Sequence, residues 1–169
     1  MTLDLHTYES PIGPLVLSAR TDQLVGLHLP GSDDPPPAGT VRETPILRRA
    51  AKQLAEYFAG KRTGFELALA PEGTAFQRRV WDALLEIPFG ETTSYGAIAQ
   101  RIGRPAASRA VGAANGRNPI AIIVPCHRVI GANGALTGFG GGLPAKTFLL
   151  THERAIRPGK RSPAQLSFA

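Results

Sequence analysis

The sequence predicts an α/β chain in two parts: a small N-terminal domain with an antiparallel sheet and a helix over residues 1–72, then a mainly helical C-terminal domain over 73–157 containing a helix-turn-helix, and a tail at 158–169. Three observations predict it. Short apolar runs rich in strand-forming residues and separated by turn signals open the chain. Apolar residues then recur at helical spacing. The charge also changes sign: residues 1–72 hold 7 Lys and Arg against 9 Asp and Glu, a balance of −2, whereas residues 73–169 hold 12 against 4, a balance of +8.

The runs Leu3 to Tyr8, Leu15 to Ala19 and Leu24 to Leu29 are divided by Ser10-Pro11 with Gly13-Pro14 and by Thr21-Asp22, which predicts an antiparallel meander. Gly31 to Gly39, with Pro35-Pro36-Pro37 inside it, can continue neither a ladder nor a helix and is expected to be a mobile surface loop. Thr44 is placed to cap a helix that starts at Pro45, carries the stripe Ile46, Leu47, Ala50, Leu54 and Phe58, and stops at Gly60. A further strand is expected from Phe65 to Leu69, and Pro71 to Gly73 marks the boundary.

In the second part, Thr74 is expected to cap a helix reaching about Ile87, with Phe76, Val80, Trp81 and Leu84 on its core face. Pro88 to Gly90 breaks the chain. Two short helices follow, about Ser94 to Arg101 and Pro105 to Asn115, joined at Ile102-Gly103-Arg104 with helix-turn-helix spacing. The second is nearly bare: Ala106, Ala107, Ser108, Ala110, Gly112, Ala113 and Ala114 leave Arg109 as its one long cation. Such a surface permits either tight packing on a neighbouring helix or close approach to a narrow nucleic-acid groove. The β-branched run Ile120 to Val124 predicts a buried strand leading into Pro125-Cys126-His127-Arg128-Val129.

Composition narrows the function classes. With 43% apolar residues the chain can bury a core. No segment approaches the roughly 18 apolar residues of a membrane span, and the N-terminus lacks a signal-peptide layout, so a cytoplasmic protein is expected. The single cysteine cannot form an internal disulfide, and with four scattered histidines it offers no zinc spacing, so no metal is expected. The basic second half suits a polyanion such as nucleic acid, although a passive basic surface has the same composition.

A lone cysteine is ordinarily a small buried hydrophobe. Cys126 differs in its neighbours, because His127 and Arg128 supply a base and a positive charge, either of which favours a thiolate. A histidine used in this way needs an orienting carboxylate, and Glu153 leads among only four acids in this half.

The stretch Ile122-Ile123-Val124-Pro125-Cys126-His127-Arg128-Val129-Ile130 closely resembles the active-site signature of the O6-alkylguanine-DNA alkyltransferases, the methylated-DNA-protein-cysteine methyltransferases. The resemblance extends through Tyr95-Gly96, Arg109-Ala110-Val111-Gly112, Asn115 to Pro119, Gly138 to Gly142 and Leu149 to Glu153, and so spans most of residues 74–154. It implies a stand-alone, monomeric DNA repair protein that needs no cofactor. The alkyl group of O6-alkylguanine, with O4-alkylthymine as a second candidate, passes irreversibly from a flipped-out base to Cys126, one event per molecule.

The resemblance implies the residue roles as well. His127 acts as general base through a water, Glu153 holds its tautomer, Tyr95 hydrogen-bonds the flipped base, and Asn118 braces the active-site loop. Arg109 fills the gap in the base stack, with Ala107, Ser108, Ala110 and Gly112 against the minor groove of double-stranded DNA. Pro125, Val129, Phe139 and Gly140 line the substrate pocket, under a lid formed by Gly138 to Gly142. Some relatives carry tyrosine where this chain has Phe139, which removes one possible hydrogen bond to the lesion. Arg101, Arg104, Arg117 and Arg128 are candidates for phosphate contact, with a buried ion pair as the alternative for Arg128. Two other classes remain open: a lesion sensor without chemistry, and a cysteine hydrolase using Cys126, His127 and Glu153.

Overall fold

The opening runs pair as a meander. In the computed structural model, which describes residues 2–136 and 139–156, β1 (Asp4–Ser10), β2 (Gly13–Arg20) and β3 (Gln23–His28) are antiparallel neighbours. The turn between β1 and β2 is tied by Ser10, whose Oγ accepts from Ile12 N (3.1 Å) and donates to Gly13 O (2.7 Å). Leu15, Leu17 and Ala19 alternate along β2 and are fully buried, the period-2 pattern of a strand with one face on the core. Gly26 is required by its neighbour across the pair, since a Cβ there would sit 2.5 Å from Ser18 Oγ.

A fourth strand was not legible. β4 (Thr40–Val41) lies parallel to β1 at the sheet edge, giving the order β3-β2-β1-β4. Its bonds are Thr40 N to Leu3 O and Arg42 N to Leu5 O, both 2.9 Å. Two residues are too few to show an alternation.

Helix α1 (Pro45–Phe58) packs on β1, β2 and β3. Its buried stripe is Ile46, Leu47, Ala50, Leu54 and Tyr57, not Phe58. Positions three and four beyond Leu54 straddle the same face; Tyr57 takes the core, packing against Phe65 with ring centroids 5.6 Å apart, while half-buried Phe58 stacks on Tyr8. Thr44 occupies the cap position, but its side chain makes no cap hydrogen bond.

The strand expected at Phe65 to Leu69 reduces to a single bridge, Leu24 to Leu69. The reason is Gln53: its buried amide donates to Glu66 O (3.1 Å) and accepts from Glu66 N (2.9 Å), so a helix side chain replaces a neighbouring strand.

The first compact unit comprises residues up to Glu72 together with Pro119–Ile123, although the latter segment was read with the second half. Leu27 N donates to Pro119 O (2.8 Å), and Leu27 bridges Ile120. The run Ile120 to Val124 is buried throughout but is not a strand. It curls, with Ile123 N bonded to Ala121 O (2.8 Å) and Ile122 held at φ 72°. Positive φ is strained for a β-branched residue and persists only where surroundings impose it. An apolar run reports the need for burial; it does not report a ladder.

The second unit begins at Gly73, runs to Asn118 and resumes at Val124. Helix α2 (Ala75–Leu84) opens on a capping box, Thr74 Oγ1 accepting from Gln77 N (3.1 Å) and Gln77 Oε1 from Thr74 N (2.9 Å). It ends three residues before the expected Ile87. Helices α3 (Tyr95–Arg101) and α4 (Ser108–Gly116) follow. The turn between them is longer than expected because Pro105 to Ala107 precede α4, with Ala107 as its cap residue. Arg79 donates to Ile102 O and ties this turn to α2. Two short parallel strands, β5 (Thr93–Ser94) and β6 (Val129–Ile130), lie on either side of the sequence that carries Cys126, and α5 (Leu143–Ile156) ends the described chain. Gly138 of the expected lid, and the tail from Arg157, lie outside the described residues.

Candidate active site around Cys126

Cys126, His127 and Arg128 form one turn of 3-10 helix immediately before β6, and all three are buried. The turn is entered through Pro125, with Cys126 N bonded to Val124 O (2.8 Å), and is braced by Asn118, whose Nδ2 donates to the same carbonyl (2.8 Å). Parallel pairing of Val129 and Ile130 with Thr93 and Ser94 secures its exit. A reactive triplet is thus held by backbone on both sides.

The three side chains meet α5 through Glu153. Its Oε2 lies 2.7 Å from His127 Nε2, and its two oxygens accept from Arg128 Nε (2.8 Å) and Nη2 (3.0 Å). Arg128 Nη1 also donates to Ile87 O (2.7 Å), and the guanidinium lies 5.7 Å from the Phe89 ring centroid. Arg128 is therefore a buried pairing partner and not a phosphate contact. Arg101 pairs with Glu86 through Nε at 2.8 Å, while Arg104 and Arg117 are exposed.

These contacts set the proton inventory. Burial alone would raise the Glu153 carboxyl, but His127 and Arg128 together hold it well below the ordinary carboxylate range. Burial lowers the His127 imidazole against the opposing pull of Glu153, with Arg128 and Lys146 lowering it further. The imidazole is therefore neutral and the carboxylate ionised. An ionised carboxylate only accepts, so Nε2 carries the proton and Nδ1 keeps its lone pair. Nδ1 is buried and has no hydrogen-bond partner among the described residues. Burial also pushes the Cys126 thiol up, against lowering by the Asn118 side chain, the Lys146 charge and two backbone N-H groups. A buried thiol followed in the chain by a neutral imidazole with a free lone pair has the groups for proton removal through a bridging water.

Two residues of this cluster were given no site role from the sequence. Lys146 is fully buried on α5, and its Nζ donates to Val129 O (2.7 Å). Lys146, Leu149 and Glu153 share one face at i, i+3 and i+7; a helix stripe with ionic ends and an apolar middle was the available signal. Asn115 is buried at the end of α4, with Nδ2 3.4 Å from Cys126 O. Because the Lys146 charge favours the thiolate, Lys146→Met should raise the thiol ionisation midpoint, read from thiolate absorbance. It should also slow alkylation of Cys126 by iodoacetamide near neutral pH by about fivefold, the factor carried by roughly 1 kcal/mol of Coulomb energy. An unchanged midpoint would remove Lys146 from the thiol's electrostatics.

The remaining candidates divide. Tyr95 opens α3 and is half-buried, with its ring over Gly112, where a Cβ would lie 3.7 Å away in ordinary contact. On α4, Val111, Ala114 and Asn115 face inward, with Trp81 Nε1 donating to Ala114 O (2.8 Å). Arg109, Ala110 and Ala113 are exposed, whereas Ala107 and Ser108 are half-covered. The bare helix therefore packs by one face and presents the other to solvent. Pro125 and Val129 are buried. Phe139 is half-buried and its carbonyl accepts from Gly142 N (2.9 Å), and Gly140 is exposed; among the described residues no hydrogen bond joins either to Cys126. No group of three His, Cys, Asp or Glu among the described residues could hold a metal, and no helix among them is long and apolar enough to cross a membrane.

Comparison with known proteins is consistent across the whole chain. The ribonuclease-like domain of 6-O-methylguanine DNA methyltransferase matches residues 5–71, and the DNA binding domain of that family matches residues 75–155. A methylated-DNA-protein-cysteine methyltransferase of Methanosarcina acetivorans is 55% identical over 148 residues, 86% of this chain and 95% of that protein. One of Mycobacterium tuberculosis is 51% identical over 163 residues, 96% of each. A crystal structure of Mycobacterium tuberculosis OGT in complex with DNA superposes with a TM-score of 0.85 at 50% identity, covering 92% of this chain and 96% of that one.

Proposed function

This chain belongs to the 6-O-methylguanine DNA methyltransferase family, and from that premise we propose how its own residues divide the reaction. It is a DNA repair protein that transfers the alkyl group of O6-alkylguanine irreversibly to its own Cys126, one event per molecule. The observation that carries the assignment of roles is the His127 to Glu153 contact of 2.7 Å, which commits Nε2 and leaves Nδ1 as the base beside the acceptor cysteine.

In this reading His127 Nδ1 takes the thiol proton through a water as the sulfur attacks the alkyl carbon. The sulfur-carbon bond forms while the carbon-O6 bond breaks, and Tyr95 meets the charge left on the guanine. Glu153 holds the imidazole tautomer, and Arg128 keeps Glu153 ionised. Asn118 holds the acceptor turn, while Pro125, Val129, Phe139 and Gly140 wall the alkyl pocket. Thymine carrying an O4-alkyl group is the second substrate of the same pocket.

The sulfur is buried and cannot reach a stacked base, so the nucleotide must rotate out, at a cost of a few kcal/mol. We assign α3 and α4 to a helix-turn-helix whose exposed face, with Ala107, Ser108 and Ala110, lies along the minor groove while Arg109 enters the stack. Arg109→Ala should then slow repair of duplex DNA by roughly 30-fold, about 2 kcal/mol of lost flipping support. Reaction with free O6-benzylguanine should barely change, and an equal loss on both substrates would remove the flipping role. The protein acts as a monomer in the cytoplasm, where a reducing environment keeps the lone thiol available.

The test is incubation with a short duplex carrying one O6-methylguanine, followed by intact-protein mass and peptide mapping. One methyl group on the Cys126 peptide, saturating at one per protein, is expected. No gain in mass with the duplex still bound would leave a lesion sensor, and catalytic turnover without modification would point to a hydrolase.

A further inference from the structure

A cavity of about 620 Å³ lies between the β5 and β6 strand ends and the face of α5 that does not carry Lys146 and Glu153. Its wall includes Thr93, Ile130, Leu136, Leu150, Thr151 and Arg154, and includes neither Cys126 nor Tyr95. Thr93 is buried, and its Oγ1 has no hydrogen-bond partner among the described residues. An unsatisfied buried hydroxyl is uncommon, because burial removes its hydrogen bonds to water without replacing them, and it suits a ligand with a polar edge. Arg154 is exposed and has no ion-pair partner among the described residues. The cavity thus combines apolar walls, an unused hydroxyl and a cation, within the size range of small-molecule sites.

We propose that this cavity binds a nucleotide, with the heterocycle against Ile130, Leu136 and Leu150, an edge group on the Thr93 hydroxyl, and the phosphate on Arg154. A flat body with two apolar faces, a hydrogen-bonding rim and one anionic end matches that wall better than an uncharged metabolite or a bare anion, each of which would leave half of it unused. The site is separate from alkyl transfer, but it shares β5 and β6 with the acceptor turn: Thr93 and Ser94 precede Tyr95, and Ile130 follows Cys126 by four residues. The nucleotide can come from solution or from a strand of bound DNA.

The test is titration of the intact protein with dGMP, deoxyguanosine and an undamaged duplex, followed by amide chemical shifts of residues 92–97 and 130–134. Saturable dGMP shifts in both segments are expected, weakened about tenfold by Arg154→Ala and about threefold by Thr93→Val, the factors carried by one charged and one neutral hydrogen bond. Deoxyguanosine should bind about as weakly as dGMP does to Arg154→Ala. Neither variant should alter the rate of reaction with free O6-benzylguanine, so a failure here is distinguishable from a failure of the alkyl-transfer assignment. If the duplex shifts the same amides and displaces dGMP, the nucleotide belongs to DNA; if it leaves them unchanged, the ligand is a free nucleotide. No shifts at about 10 mM dGMP, or shifts that survive both substitutions and are lost in Tyr95→Phe, would overturn the proposal.

Discussion

Cys126→Ser should lose alkyl transfer by more than about 10³-fold while binding duplex DNA within about twofold of the native protein. The chain has one cysteine, so no second thiol can substitute. A serine hydroxyl is far harder to deprotonate than a thiol and is a poorer nucleophile toward a saturated carbon. The side chain is buried within the acceptor turn, away from the exposed face of α4, which is why binding should persist. Intact mass after incubation with an O6-methylguanine duplex reads the first effect, and fluorescence anisotropy of the same duplex reads the second. A methyl group on the serine variant would place the acceptor elsewhere.

Glu153→Gln should be nearly as damaging, and in two separable ways. The carboxylate faces His127 and Arg128 at 2.7–3.0 Å, all three buried, and neutralising it leaves a guanidinium without its counter-charge. Removing one partner of such a pair costs about 3–5 kcal/mol, which a denaturant titration would show directly. The second effect is chemical. A glutamine amide can donate to His127 Nε2, which would move the ring proton to Nδ1 and abolish the base. Transfer should then fall by about 10²-fold or more even in the fraction that stays folded.

The pH dependence separates this from a purely structural loss. Both shifts are depressions. Glu153 titrates lower in the folded chain than in the unfolded one, so its stabilisation is present above the unfolded value of about 4.3 and is lost as the pH falls below it. His127 is also lowered, so the unfolded chain takes up a proton below about pH 6.5 that the native imidazole refuses, and acidification again favours unfolding. Native stability should therefore decline from about pH 6.5 downward and more steeply below about pH 4.5. The Glu153→Gln curve should lack the steeper limb; parallel curves would show that the carboxylate is not held ionised by its neighbours.

The Cys126-His127 pair was legible as a candidate because the two residues are contiguous. Pro125-Cys126-His127-Arg128 is a run of unlike chemistry at the end of an apolar stretch, and Glu153 stood out where acids are scarce. The meander, α1 and the cap at Thr74 were legible for the same reason, since strand alternation, helical spacing and caps are local. What was misread was local in form but decided elsewhere. Gln53 took the hydrogen bonds that would have made Phe65 to Leu69 a strand. Ile120 to Val124 satisfied burial by curling through Ile122 rather than by joining a sheet.

By itself, then, the sequence determined the three-stranded meander and the helices that follow it, and it singled out Cys126 and His127 as candidates through their immediate neighbours and Glu153 through the scarcity of acids. Only the tertiary structure decided that Arg128 is an inward partner of Glu153, that Lys146 is buried with its Nζ on Val129 O, and that His127 Nδ1 is the ring nitrogen left without a partner among the described residues. Charge and polarity are properties of a residue, whereas pairing, protonation and burial are properties of its surroundings. Those surroundings exist only once segments distant in sequence have packed together.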